Sequence, residues 1–298
     1  MNALIIGGVS IDTLIYTPEI KHISSDMSIF AKKKTEQIGG TGVGKALMMS
    51  KLSTNTTLVC QAAKEDYDFI NKTLVKNKIH PVILETNVTE KHTNIMHGEN
   101  HRLSIFTSFP EDVNNINKVV TDKMLQEADI IFLNINSFCK PLIPRLYPYK
   151  EKIVVDLHDY DLDSEYHKVF LDVGSYLFSS CIYLKNQVDF LEDSLTKYNL
   201  KTSVITCNKE GALGMDDENR VISSEAIKGI KMVDSNGAGD AFVVGFIYEY
   251  LKSKNLEYAL LFGNVCGAFS CESEMLINQD ITISEIILRF NVEKNRLQ

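Results

Sequence analysis

"KMVDSNGAGDAFVVGFIYEYL", residues 231–251, sets three small residues, Gly237, Ala238 and Gly239, and an acid, Asp240, directly before a long apolar run. Small residues let a backbone come close to a ligand, and the first amides of a helix find no partner within it. A loop of this kind running into an apolar helix makes a site for an anion. A carboxylate in the first turn would repel that anion unless it has a task of its own. Accepting a proton from a hydroxyl that attacks a phosphoryl group is such a task. The plainer alternative leaves Asp240 as a first-turn acid that favours the helix dipole by about 0.3–1 kcal/mol.

Upstream, "DIIFLNI" (129–135), "KIVVDLH" (152–158), "SYLFSS" (175–180) and "TSVITCN" (202–208) are short apolar runs separated by segments long enough to return as helices. Such alternation predicts βαβ units and a mainly parallel sheet covered on both faces, with ligands at the carboxyl ends of its strands. Further upstream "ALIIGG" (3–8) reads as a buried strand, whereas "MSIFAKKKTEQI" (27–38), "HTNIMHG" (92–98) and "HRLSIFT" (101–107) alternate as one-sided strands do. These predict a small antiparallel β lid, contributed by about 14–37 and 91–109, on a single α/β domain spanning 1–298.

A second glycine cluster, "GGTGVGKALMM" (39–49), matches a P-loop at Gly39, Gly44 and Lys45 but carries Ala46 where a hydroxyl should meet magnesium. The preceding "KKKTEQI" is too charged to be the buried strand that a P-loop needs. These glycines call for another role.

The 298 residues carry a formal charge of −8, which disfavours nucleic-acid phosphates and anionic membranes as partners and leaves a small molecule. The start of the chain lacks a secretory pattern and no apolar run reaches the length of a span, so a cytoplasmic protein is expected. Six scattered cysteines without a C-x-x-C pair read as buried thiols and predict no metal site.

"DSNGAGDAFVVGF" resembles the D-T-x-G-A-G-D-x-F-x-x-G signature of the ribokinase, or PfkB, family of carbohydrate and nucleoside kinases, and the resemblance extends along nearly the whole chain. It implies a ribokinase-like three-layer α/β sandwich. "ALIIGGVSID" is similar to the family's opening strand, which makes Asp12 a ligand for substrate hydroxyls. "QIGGTGVGKALMMSKLS" resembles the floor of the substrate pocket, assigning Gly39, Gly40 and Gly44 to the acceptor. Asn136 occupies a position where relatives often contact the sugar. "VITCNKEGAL" resembles the T-x-G-x-x-G nucleotide segment, giving Thr206, Asn208 and Gly211, and "FGNVCGAFS" resembles the late helix beside the adenine, giving Asn264. The resemblance implies transfer of the γ-phosphoryl group of ATP, accompanied by Mg²⁺, to a hydroxyl of a small sugar. Asp240 would be the base and Gly237, Ala238 and Gly239 the anion hole. A nucleoside acceptor is the alternative within the family. The family's lids often pair between subunits, which admits a homodimer.

Four positions depart from that pattern. Gly44 stands where most members have asparagine, and Asn208 replaces a glycine but tolerates left-handed geometry. Ser180 and Tyr183 stand where N-x-x-E organises the water shell of magnesium, and a lost carboxylate there weakens support for the ion. "CESEMLINQD" lacks the glycine-bearing segment of a monovalent-cation site. A degenerate, non-catalytic metabolite or nucleotide binder therefore stands as the reading from another class.

Other candidates are weaker. Asp159, Asp161 and Asp163 alternate as in a calcium loop, but Ser164 and Phe170 occupy its required Gly and Glu positions. His92, His97 and His101 fit no zinc spacing and read as polar lid surface. Asp156 ends a strand, where it either faces the crevice or caps a loop. A nicotinamide enzyme is disfavoured because the early glycines do not follow dinucleotide spacing.

Overall fold

Consecutive residues of β1 (Asn2–Ile6) enter different cores: Ala3 and Ile5 pack into one, Leu4 and Ile6 into the other. The same alternation recurs in β8 (Ile130–Asn134), where Phe132 lies on one side and Ile131 and Leu133 on the other. A sheet buried on both faces results, and it explains the nearly continuous apolar runs.

The computed structural model describes residues 1–20, 22, 26–98, 101–113 and 115–296. The remaining strands are β2 (Ser10–Tyr16), β3 (Lys33–Gly39), β4 (Asn55–Ala63), β5 (Ile79–Thr86), β6 (Glu90–His97), β7 (His101–Ser108), β9 (Ile153–Asp156), β10 (Tyr176–Ser180), β11 (Thr202–Thr206), β12 (Ala212–Asp216) and β13 (Val221–Ser224). The longer helices are α1 (Thr41–Lys51), α2 (Tyr67–Lys76), α3 (Gln187–Tyr198), α4 (Ala238–Ser253), α5 (Leu256–Ser270) and α6 (Ile283–Lys294). The large sheet has the order β13-β12-β11-β10-β9-β8-β1-β4-β5. It is parallel from β11 to β5, while β12 and β13 are antiparallel. Helices α1, α2, α4, α5 and α6 cover one face, and α3 with several short helical turns covers the other.

The small sheet has the order β3-β2-β6-β7. Its outer pairings are antiparallel and β2 runs parallel to β6. The strand expected over 27–38 begins only at Lys33, because β2 ends at Tyr16 and offers earlier residues no partner. Positions 21, 23–25, 99 and 100 of the expected lid lie outside the described residues. No helix among the described residues is long and apolar enough to cross a membrane, and the six cysteines are unpaired.

Two contacts set the site. Gly237 caps α4 with φ 78°, and a methyl there would overlap the carbonyl oxygen of Leu276. At the other loop, Gly42 in the first turn of α1 lies against the end of β1, and its amide donates to the carbonyl of Gly8 at 3.1 Å. A methyl at Gly42 would stand 2.7 Å from the carbonyl carbon of Gly7. Backbone yields poorly, so Gly42→Ala should cost about 1–3 kcal/mol in urea unfolding. An unchanged midpoint would contradict this docking of α1.

Candidate active site

The carboxyl ends of β1 and β8 and the first turns of α1 and α4 converge on one cleft. At its centre Asp240, in the first turn of α4, is 7% exposed and lies against α1. A side chain at Gly44 would overlap its Oδ2, and Lys45 donates to its Oδ1 at 2.5 Å. The same ammonium donates to Oδ2 of Asp156, the last residue of β9, at 2.9 Å. Asp156 also accepts through Oδ1 from the amide of His158 at 3.1 Å, so it faces the crevice and caps the loop at once.

Burial governs these charges. It pushes the Asp240 carboxyl above its ordinary value, against the pull of Lys45 and His158. In Asp156 burial works in the same direction, but His158 and Lys45 outweigh it and hold the group low. Burial alone would lower the Lys45 ammonium, yet the two carboxylates override it and keep it above the usual lysine value. Lys45 therefore stays protonated and buried between two carboxylates, which removes it as the phosphate ligand of a P-loop.

Beside Asp240 the amides of Gly239 and Asp240 have no hydrogen-bond partner among the described residues, as expected for the start of a helix. The space a methyl at Gly239 would enter is open. Ala238, expected in the same anion hole, differs: its amide donates to the carbonyl of Ser235 at 3.2 Å and closes the turn. Gly237 supplies the left-handed cap rather than a flat cradle.

Across the cleft Asp12 lies against Gly39 and is 3% exposed. Its Oδ1 accepts from the Ser10 hydroxyl at 2.7 Å and is 3.1 Å from Nδ1 of His92, while Oδ2 has no partner among the described residues. His92 also meets Glu90 through Nε2 at 2.7 Å. Register places Gln37, Asp12, His92 and Phe106 in one row across the four strands of the small sheet. The Gln37 side-chain nitrogen is buried without a partner, and the Phe106 ring lies 4.3 Å from that of His92. The reading of His92 as lid surface is thus corrected, since it is a half-buried companion of Asp12. The rings of His97 and His101 lie 5.4 Å apart and tilted by 55°, and no metal-holding cluster occurs among the described residues.

Gly40 caps α1 with φ 94° against Gly8 and Val9. Asn136 accepts from the amide of Gly8 at 2.9 Å, which fixes the end of β1 and leaves its side-chain amide nitrogen for other contacts. Of the residues expected to meet the nucleotide, Thr206 ends β11, and Asn208 and Gly211 turn the chain with φ 48° and 99°. The amide nitrogen of Asn264 donates to the Ser224 carbonyl at 3.1 Å and hydroxyl at 3.0 Å, and to the Glu225 carbonyl at 3.0 Å. It ties α5 to the segment after β13, leaving only its oxygen for a ligand.

Burial alone would lower the His92 imidazole, but its bonds to Asp12 and Glu90 raise it from 6.5 to about 9. A group whose value rises on folding stabilises fully below its unfolded value, and that support is lost as pH climbs through its folded value. The stability gap between the native protein and His92→Gln should therefore be widest below pH about 6.5 and shrink as pH passes about 9. A gap that stays constant in urea unfolding between about pH 6 and pH 10 would contradict this pairing.

Residues 183–282, which hold the Gly237–Asp240 loop and the Thr206–Gly211 turn, match the pfkB family of carbohydrate kinases. An acarbose 7(IV)-phosphotransferase of Actinoplanes sp. is 24% identical over 276 residues, 91% of this chain and 92% of that protein. A microbiome-derived acarbose kinase superposes with a TM-score of 0.86 at 21% identity, covering 97% of this chain and 99% of that one. The ribokinase of Arabidopsis thaliana, solved with ribose and ATP, gives a TM-score of 0.77 at 15% identity, covering 97% of each chain. The fold is the ribokinase-like α/β fold, and the segment 183–282 is similar to the pfkB family of carbohydrate kinases.

Proposed function

We propose that the protein is an ATP-dependent phosphotransferase that moves the γ-phosphoryl group to a hydroxyl of a small sugar. One observation carries this reading: a buried carboxylate, Asp240, shares the first turn of α4 with two unpaired amides. The amides suit a phosphoryl group and the carboxylate suits the hydroxyl that attacks it. On the other wall Asp12, with a free carboxylate oxygen, and the amide of Gln37 suit sugar hydroxyls. The similarity to an acarbose 7(IV)-phosphotransferase along 91% of the chain supports a sugar acceptor.

In this reading an acceptor hydroxyl gives its proton to Asp240 as its oxygen bonds to the γ-phosphorus and ADP departs. The amides of Gly239 and Asp240 stabilise the charge on the moving group. Closure of the small sheet over the cleft excludes water as a competing acceptor. No cluster of carboxylates or imidazoles that would hold magnesium occurs among the described residues, and Tyr183 is exposed where the family's acid is expected. The chain's own residues do not fit a magnesium cage, so the ion would arrive on the nucleotide's phosphates.

The test is a panel of monosaccharides, oligosaccharides and nucleosides with magnesium-ATP, scored for ADP release. Turnover with a sugar is expected, and Asp240→Asn should reduce it by about 10²–10⁴-fold while ATP binding persists. Gly239→Ala should fold normally, since the added methyl meets nothing within 4 Å, yet slow turnover by crowding the anion. Full activity in Asp240→Asn, or no phosphorylation of any acceptor, would contradict the proposal.

A further inference from the structure

The kinase reading leaves two features of α1 unexplained: a glycine at position 44 that has no room for a side chain, and a lysine buried in an apolar helix. Lys45 is 1% exposed, and its neighbours Val43, Ala46 and Leu47 are core residues. Its ammonium is held by Asp156 and Asp240. Gly44, one residue earlier, lies against Oδ2 of Asp240 so closely that any side chain would overlap it. Oδ2 itself makes no hydrogen bond among the described residues.

Resting on the reading of Asp240 as base, we propose that Gly44 and Lys45 together form its seat. Lys45 is a positioning residue that clamps Oδ1, and the missing side chain at Gly44 gives Oδ2 the room to meet the acceptor hydroxyl. The clamp sets both the direction and the charge of the base. A carboxylate this buried favours its neutral form, in which it accepts no proton, and a cation in contact with it restores the ionised form. The charged groups facing Asp240 are Lys45 from α1, Asp156 from the end of β9 and His158 from the turn that follows. Lys45 touches the carboxylate directly, whereas Asp156 opposes its ionisation. Any side chain at position 44 would displace Asp240, so Gly44 and Lys45 form one arrangement.

The experiment follows Asp240 itself, with no acceptor needed. Carbon-13 carboxyl spectra of aspartate-labelled protein give its titration, the line being assigned by its loss in Asp240→Asn. In Lys45→Met the midpoint should rise by about one to three pH units. Because that variant leaves two buried carboxylates uncompensated and could fail to fold, the double variant Lys45→Met with Asp156→Asn is measured beside it. It keeps the cluster's formal charge at −1, and its Asp240 midpoint should also rise. A midpoint that matches the native protein in whichever variant folds would overturn the proposal and reduce Lys45 to a packing residue. With the sugar that turns over fastest in the acceptor panel, the acid limb of kcat should move with the midpoint, while KM for ATP changes little. If no panel member turns over, the kinase reading fails separately, and the midpoint still decides the role of Lys45.

Discussion

The ammonium of Lys45, held between Asp156 and Asp240, joins the second turn of α1, the end of β9 and the first turn of α4. Two carboxylates and one cation in a nearly dry place tolerate little displacement, because removing one partner of a buried pair typically costs about 3–5 kcal/mol. That cost constrains the rest of the site. Helix α1 reaches this position only because its glycines let it rest on the end of β1, and α4 reaches it because Gly237 turns the chain with a positive φ under Leu276. Displacing either helix would strand a charge.

The two glycine loops consequently serve different walls of one cleft. The earlier loop supports Asp12 and the end of β1, where a carboxylate, a buried amide and an imidazole stand in one row across the small sheet, the wall to which the proposed reading assigns the acceptor. The later loop offers bare amides with open space above Gly239. Asp240 stands at their junction, as a base must if it is to touch the hydroxyl while its helix holds the phosphoryl group. The P-loop likeness of the earlier stretch fails on physical grounds as well as on pattern, since its lysine is committed to two acids.

Much of this was legible in the chain. Apolar runs fixed the parallel sheet because both faces are buried, and "DSNGAGDAFVVGF" located the turn before α4 because only small residues permit it. Three features were not legible. Whether His92 faces Asp12 or solvent depends on strand register, and a shift of one residue reverses the face. The start of β3 at Lys33 depends on where its partner β2 ends. Lys45 carried a signal, a charge inside "GVGKALMM", but its partners lie 111 and 195 residues away in sequence. The donors of Asn264 and Ala238 are spent within the protein, on the Ser224 and Glu225 carbonyls and Ser224 hydroxyl and on the Ser235 carbonyl, which no sequence pattern shows.

A crystal structure with magnesium-ADP and aluminium fluoride, a mimic of the phosphoryl group in flight, tests the central claim most directly. The account places the fluoride group on the amides of Gly239 and Asp240, with the Asp240 carboxylate on its acceptor side. A mimic bound instead at the Gly39–Lys45 loop, or a carboxylate turned away from it, would contradict the account.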